Sequence, residues 1–279
     1  MMTNLLKADL YRTSKSKSLY VTAIVCIVFV LLSALLYKGI DIVANTLLPG
    51  ESIMQETPVE GGDIAEMGDM LVGSFGSSTA FTTAQEILKS DTLIYCLIAI
   101  FILVSAVEFS SGTIKNSLTA GISRKNIYFS KFTLSCLYTI GYYLVFFVFA
   151  ILSSMLVYWE GISASQLGEL LFTGIRQIPI YIGVIAAAHC FVFATQSTVA
   201  SVSLFIVSFM IFNTILPMFN MVLGWDMNVT LLFPLYQCIE LVNFDVSAIN
   251  YATIYGSTLL YILLFVWFGY AKFKKSEIK

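Results

Sequence analysis

The stretch Leu19–Leu36 reads LYVTAIVCIVFVLLSALL and holds no charged residue. A helix needs about 20 mostly apolar residues to cross the hydrocarbon core of a bilayer, and this run has that length and character. It outruns a signal-peptide core of about 7 to 15 residues and carries no small-residue cleavage site, so it is expected to stay in place as a first span. The rest of the chain has the same cast: 58% of the 279 residues are apolar and 11% charged, with a mean hydropathy of +0.87. A soluble domain carries about 25% charged residues, so most of this chain is expected to be solvated by lipid. Six such runs can be read along it.

Charge orients them. Apart from Lys38, Lys89 and Arg176, the 15 basic residues fall into three clusters: Lys7, Arg12, Lys15 and Lys17; Lys115, Arg124, Lys125 and Lys131; Lys272, Lys274, Lys275 and Lys279. With six spans all three clusters lie on one side, and Lys/Arg enrichment marks that side as cytoplasmic. Both termini are therefore expected inside. Of the 17 acids only Asp9, Glu108 and Glu277 share that side, which agrees, although acids contribute little to topology. A net charge of -2 and a pI near 5.4 argue against nucleic acid as a partner; the expected partner is the lipid bilayer.

In chain order, residues 1–18 interleave Leu5, Leu6, Leu10 and Tyr11 with cations, which suits an amphipathic helix in the cytoplasmic interface, with a solvated basic leader as the alternative. Span 1 is 19–37. Residues 38–90, with Pro49-Gly50, Pro58, Gly61-Gly62 and most of the acids, are expected to form an extracellular cap or flap. Span 2 returns over 92–107 as the continuation of a helix begun near Thr83, and 108–126 is cytoplasmic. Span 3 is 127–158, ending at the pair Tyr158-Trp159, which suits the outer interface. Span 4 is 178–194, with Pro179 in its first turn, where proline is tolerated. Span 5 is 199–222, bent in its outer third by Pro217. Residues 224–250 are apolar but broken by Pro234 and acids into pieces too short to cross, as in a re-entrant or interfacial helix pair buried against protein. Span 6 is 251–270, and 271–279 is a cytoplasmic tail. The expected fold is a single all-α integral membrane domain.

Several chemistries are disfavoured. Cys26, Cys96, Cys136, Cys190 and Cys238 have no CxxC or Cys/His spacing and read as small apolar residues, with Cys238 alone outside the spans. HExxH, GxSxG and a pair of span-embedded aspartates are all missing, so no covalent catalysis is expected. There is no GxxxxGK[ST] to cradle a nucleotide. Ion-coupled carriers place ionisable residues inside the membrane; here the spans offer His189, read as a hydrogen-bonded packing residue, with Arg176 just outside span 4. Arg176 reads as an interfacial anchor, or as a counter-charge to Glu169 or to an acidic substrate. Gly183 and Ala187 have the small-xxx-small spacing of close helix packing. Around Gly141 the aromatics of span 3 suit packing and lipid contact; the sharper reading is a substrate wall of Tyr138, Tyr142 and Phe146, helped by polar Gln196 and Asn213.

The segment Glu108–Lys131 reads EFSSGTIKNSLTAGISRKNIYFSK. Ser110 or Ser111 can cap a short helix over 112–120, Gly121 can end it in the left-handed conformation, and Ser123 can cap span 3. This segment resembles the loop after the second span of ABC-2 type permeases, the membrane subunits of ATP-binding-cassette exporters. That loop runs from a Glu through Gly-Thr and a short helix ending near Gly to Ser-Arg-Lys. Glu108, Gly112, Thr113, Leu118, Gly121, Ser123, Arg124 and Lys125 match it, while Phe109 stands where the family often has Arg or Tyr. The six-span layout, leader, outer segment and basic tail extend the likeness over the whole chain.

The resemblance implies a coupling helix that docks on a separate ATPase, with Thr113, Ile114, Asn116 and Ser117 on or near the contact and Glu108 holding the helix to the spans. ATP and Mg²⁺ would then be bound by that partner, with no cofactor bound by this chain. Six spans are half the family's usual twelve, which implies a second copy or a related permease. It also implies the bacterial plasma membrane, alternating access, and export of, or immunity to, antimicrobial peptides or other hydrophobic or amphipathic compounds. An ion-coupled secondary transporter and a non-transporting membrane scaffold or sensor are the alternatives.

Overall fold

A backbone that leaves water must satisfy its polar groups internally, and the apolar runs do so as helices. The computed structural model describes residues 2–47, 79–223, 229–242 and 246–276. Among these residues there is no strand, and six helices are long and apolar enough to cross a membrane, so the expected all-α, six-span class holds. The order is α1 (Met2–Ser14), α2 (Lys17–Leu47, span 1), α3 (Ala80–Lys89), α4 (Thr92–Ser110, span 2), α5 (Thr113–Thr119), α6 (Arg124–Tyr158, span 3), α7 (Ala164–Thr195, span 4) and α8 (Thr198–Leu223, span 5). A 3₁₀ turn (Val229–Leu232), α9 (Pro234–Val242) and α10 (Ala248–Lys275, span 6) complete it. Of the outer segment 38–90, the acid-rich part, including Glu51 to Asp69, lies outside the described residues.

Span 4 is the axis of the bundle, with spans 2, 3, 5 and 6 and α9 all packed on it. Within its apolar window 67% of the residues are buried inside the chain, against 17% for spans 1 and 6 and 11% for span 5. Spans 1, 5 and 6 are therefore the ones that leave most of their surface to lipid or to another subunit. Gly269 sets the crossing of span 6 on span 4, since a Cβ there would lie 3.0 Å from Cys190 Cα. At Gly174 a Cβ would reach 2.7 Å from the Phe147 ring of span 3. The expected close-packing pair is looser: a Cβ on Gly183 would meet Thr258 at an ordinary 3.4 Å.

Three expectations change. Pro179 is not in a first turn, because Ser163 and Gln166 form a reciprocal capping box that starts the helix at Ala164, and Pro179 sits in its interior. The helix of span 2 does not continue from Thr83: α3 ends at a Ser90 in extended conformation, and Asp91 begins a new helix. Span 1 runs beyond Tyr37 to Leu47. Lys38 of that extension donates to the carbonyl of Val157 at the end of span 3. Span 2 also contains a π turn at Ile102–Ala106. Such turns disturb the regular carbonyl ladder, and Thr198, at the start of span 5, donates its hydroxyl to Ala106 O at 3.3 Å.

Candidate functional site

The segment between spans 2 and 3 is fixed at both ends. Gly112 precedes α5 with φ +70°, a left-handed conformation that costs an L side chain about 1 kcal/mol or more. The expected serine cap is absent: Ser111 Oγ instead pairs with Thr113 Oγ1 at 2.8 Å. The positive φ turns the chain so that no side chain is placed to accept from the first turn. At the other end Gly121 has φ +82°. Gly121 N–H reaches Leu118 O at 3.0 Å and Ile122 N–H reaches Ser117 O at 3.2 Å, the paired bonds of a Schellman motif. Ser123 caps span 3 as expected, accepting from Asn126 N–H at 3.3 Å.

Of the residues expected at a contact, Ile114 faces inward and is buried in the core, while Thr113 and Ser117 are half-buried, with Ser117 Oγ bonded to Thr113 O. The outward face is Lys115, Asn116, Thr119 and Ala120. Leu118, Ile122 and Phe109 pack against the core. Phe109 meets Phe193 of span 4 and Phe273 of span 6 edge-on, with ring centroids 5.1 and 6.2 Å away. Arg124 donates to Phe273 O at 2.7 Å and Ser276 O at 2.6 Å, satisfying carbonyls that the end of a helix leaves open. The central basic cluster thereby holds the C-terminal end of span 6.

Glu108 is buried and accepts from Arg12 of α1 and from Lys131 of span 3. Lys131 is itself 2% exposed and lies 2.7 Å from Asp9 of α1, and Arg12 lies 3.7 Å from the same carboxylate. Two acids and two bases thus close one network between the leader, span 2 and span 3. Three of these charges, Asp9, Glu108 and Lys131, are buried; buried charges are tolerated when paired, and with the exposed Arg12 the four balance. This corrects the reading of Lys131 as a topology signal: it lies inside an apolar run, where a charge marks a site. Asp9, the one acid among the leader's cations, was the other readable clue. Thr13 adds hydroxyl contact with Tyr138, and Tyr142 donates to Leu19 O at 2.6 Å.

The five residues of the expected substrate wall are not brought together. Tyr138 and Tyr142 hold α1 and the start of span 1, and Phe146 is in the core. Gln196 is the left-handed residue ending span 4, and Asn213 offers its carbonyl to Tyr236 near α9. His189 is buried against the rings of Tyr128, Phe132 and Phe193, and no side chain among the described residues hydrogen-bonds to its nitrogens. Arg176 faces no carboxylate among the described residues; it donates to Leu241 O at 3.1 Å and to the Tyr251 hydroxyl, fastening α9 and span 6. Residues 5–213, three quarters of the chain, match the family model described as ABC-2 family transporter protein. No curated protein matches the chain.

Proposed function

The chain belongs to the ABC-2 transporter family, and from that premise we propose that it is the permease subunit of an ATP-driven exporter whose ATPase is a separate polypeptide. The observation that carries this reading is α5, a short helix stopped at both ends by left-handed glycines and presenting Lys115, Asn116 and Thr119 outward. A force on such a helix has stiff routes into the bundle: Glu108 to Lys131 and Arg12, Arg124 to the end of span 6, and Phe109 to span 4. Closure of an ATPase pair on α5 would shift spans 2 and 3 together and alternate access to a central pathway. Both termini and α5 would be cytoplasmic, and ATP and Mg²⁺ would be held by the partner. A second permease copy, or a related one, would cover part of the surface that spans 1, 5 and 6 leave open. The cargo class that fits is hydrophobic or amphipathic, an antimicrobial peptide among them, for export or immunity.

The test is recovery of an ATPase chain with the full-length permease from native membranes, and of transport on reconstitution with ATP. Gly112→Trp or Thr113→Trp should leave insertion intact and permit ATP hydrolysis while abolishing most transport. Undiminished transport in both variants, or purification with no ATPase and no effect of an added one on hydrolysis, would sink the reading.

A further inference from the structure

A groove runs along the seam between spans 4 and 6. Gly183, Ala187, Phe191 and Ala194 on span 4, and Tyr261, Phe265, Phe268 and Lys272 on span 6, recur at the three- and four-residue spacing of one helix face. In succession they line two chambers of about 480 and 490 Å³. The first is apolar, walled by Phe209 and Phe212 of span 5 and closed toward α9 by Phe233. The Tyr261 hydroxyl at its wall is already given to Leu232 O. The second opens at the basic end of span 6 among Trp267, Phe268, Lys272 and Lys275. Both lysines are exposed, and neither has a carboxylate partner among the described residues.

A hydrophobic trench ending in two exposed ammonium groups and an exposed tryptophan has the chemistry of an amphiphile's seat. From Tyr261 to Lys272 the helix rises about 16 Å, half of a hydrocarbon core about 30 Å thick. The groove is therefore as long as one leaflet. Basic pockets between spans on the cytoplasmic side bind anionic headgroups, and tryptophan prefers the headgroup level. The geometry points to a binding site for an anionic phospholipid of the leaflet on the basic face, its phosphate between Lys272 and Lys275 and one acyl chain in the apolar chamber. The exposed side chains of Leu260, Leu264 and Trp267 form the adjacent face of span 6, about 100° around the helix, and would carry the second chain.

The test uses the full-length permease without ATP, so its failure would leave the exporter reading standing. Protein reconstituted in vesicles of equal parts phosphatidylcholine and phosphatidylglycerol is re-extracted, washed in mild detergent, and its retained lipid measured by mass spectrometry. Phosphatidylglycerol should be retained over phosphatidylcholine, and K272Q/K275Q should lower its affinity about thirtyfold, five- to sixfold for each lysine near the headgroups. Ser208→Phe or Ala187→Leu, each filling the apolar chamber, should lower retention with both lysines intact, judged on whichever variant elutes as a single species. Equal retention of the two lipids, no loss in K272Q/K275Q, or full retention with the chamber filled would overturn the site. So would complete displacement by glycerol 3-phosphate, which would make it a site for free anions.

Discussion

The basic face and the opposite face each fasten short helices to the long spans, with different chemistry. On the basic face α1 is tied to the ends of spans 2 and 3 by charges, Asp9, Arg12, Glu108 and Lys131. On the opposite face α9 is held mainly by neutral amides, with one cation, Arg176, donating to Leu241 O at 3.1 Å. Gln177 of span 4 donates to Leu88 O of α3 at 3.2 Å and to Cys238 O of α9 at 3.1 Å, and accepts from Tyr143 of span 3 at 3.1 Å. Gln237 of α9 donates to Leu231 O at 2.9 Å and Ser257 at 2.8 Å and accepts from Thr258 at 3.1 Å. Amide bonds are directional and hold one geometry. Charge attraction falls off slowly with distance, so an ion cluster survives small displacements of its members. The ionic face thus tolerates small displacements better than the amide face.

That contrast is open to a direct break. Lys131→Met strands Glu108 and Asp9 in a buried site with only the half-exposed Arg12 to offset them, and should cost about 3 to 5 kcal/mol, the range for breaking a buried pair from one side. The expected outcome is a sharp drop in the temperature at which the purified protein loses monodisperse elution. Adding Asp9→Asn and Glu108→Gln removes the stranded charges and should restore most of the loss. A single variant as stable as the parent would mean that the network is not closed.

Gln177→Leu is the matching change on the other face, with a smaller expected cost of about 2 kcal/mol. It leaves two carbonyls and a tyrosine hydroxyl unpaired but strands no charge. The same elution assay should place it between the parent and Lys131→Met. If it is the more damaging of the two, the neutral lock and not the ionic one dominates this fold.

The sequence was most readable where a local rule decides the outcome. Six apolar runs had to be helices, Ser123 had to find an N–H in the first turn of span 3, and Gly121, like Gly112, could take a positive φ without strain. What escaped reading were pairings across the chain: Arg12 meets Glu108 at a separation of 96 residues, and Gln177 meets Leu88 at 89. No periodicity carries such information. Pro179 misled for a related reason, since proline is rare inside helices and was taken for a beginning, whereas Ser163 and Gln166 had already supplied one. The family likeness sets Ile114 on or near the contact because it gives an order of residues and no faces, and the burial of Ile114 is not legible from that order.

The smallest predicted effect concerns the dryness of the neutral lock. Cys238 lies in α9 beneath Tyr181, and burial pushes its thiol up from the ordinary 9.0 to about 12, with a bond to Tyr181 opposing the shift in part. Only the thiolate attacks electrophiles, so a variant keeping Cys238 alone should resist a maleimide at pH 8 while folded and react once denatured. The sign of the linked stability follows: the folded chain keeps this proton where the unfolded chain, near its ordinary 9.0, has begun to lose it. The contribution is constant below pH 9 and is lost as pH rises toward 12. Rapid labelling of the folded protein would show water reaching Gln177 and would dissolve the contrast between the faces. Slow labelling that quickens in Gln177→Leu would tie the dryness of α9 to that one amide.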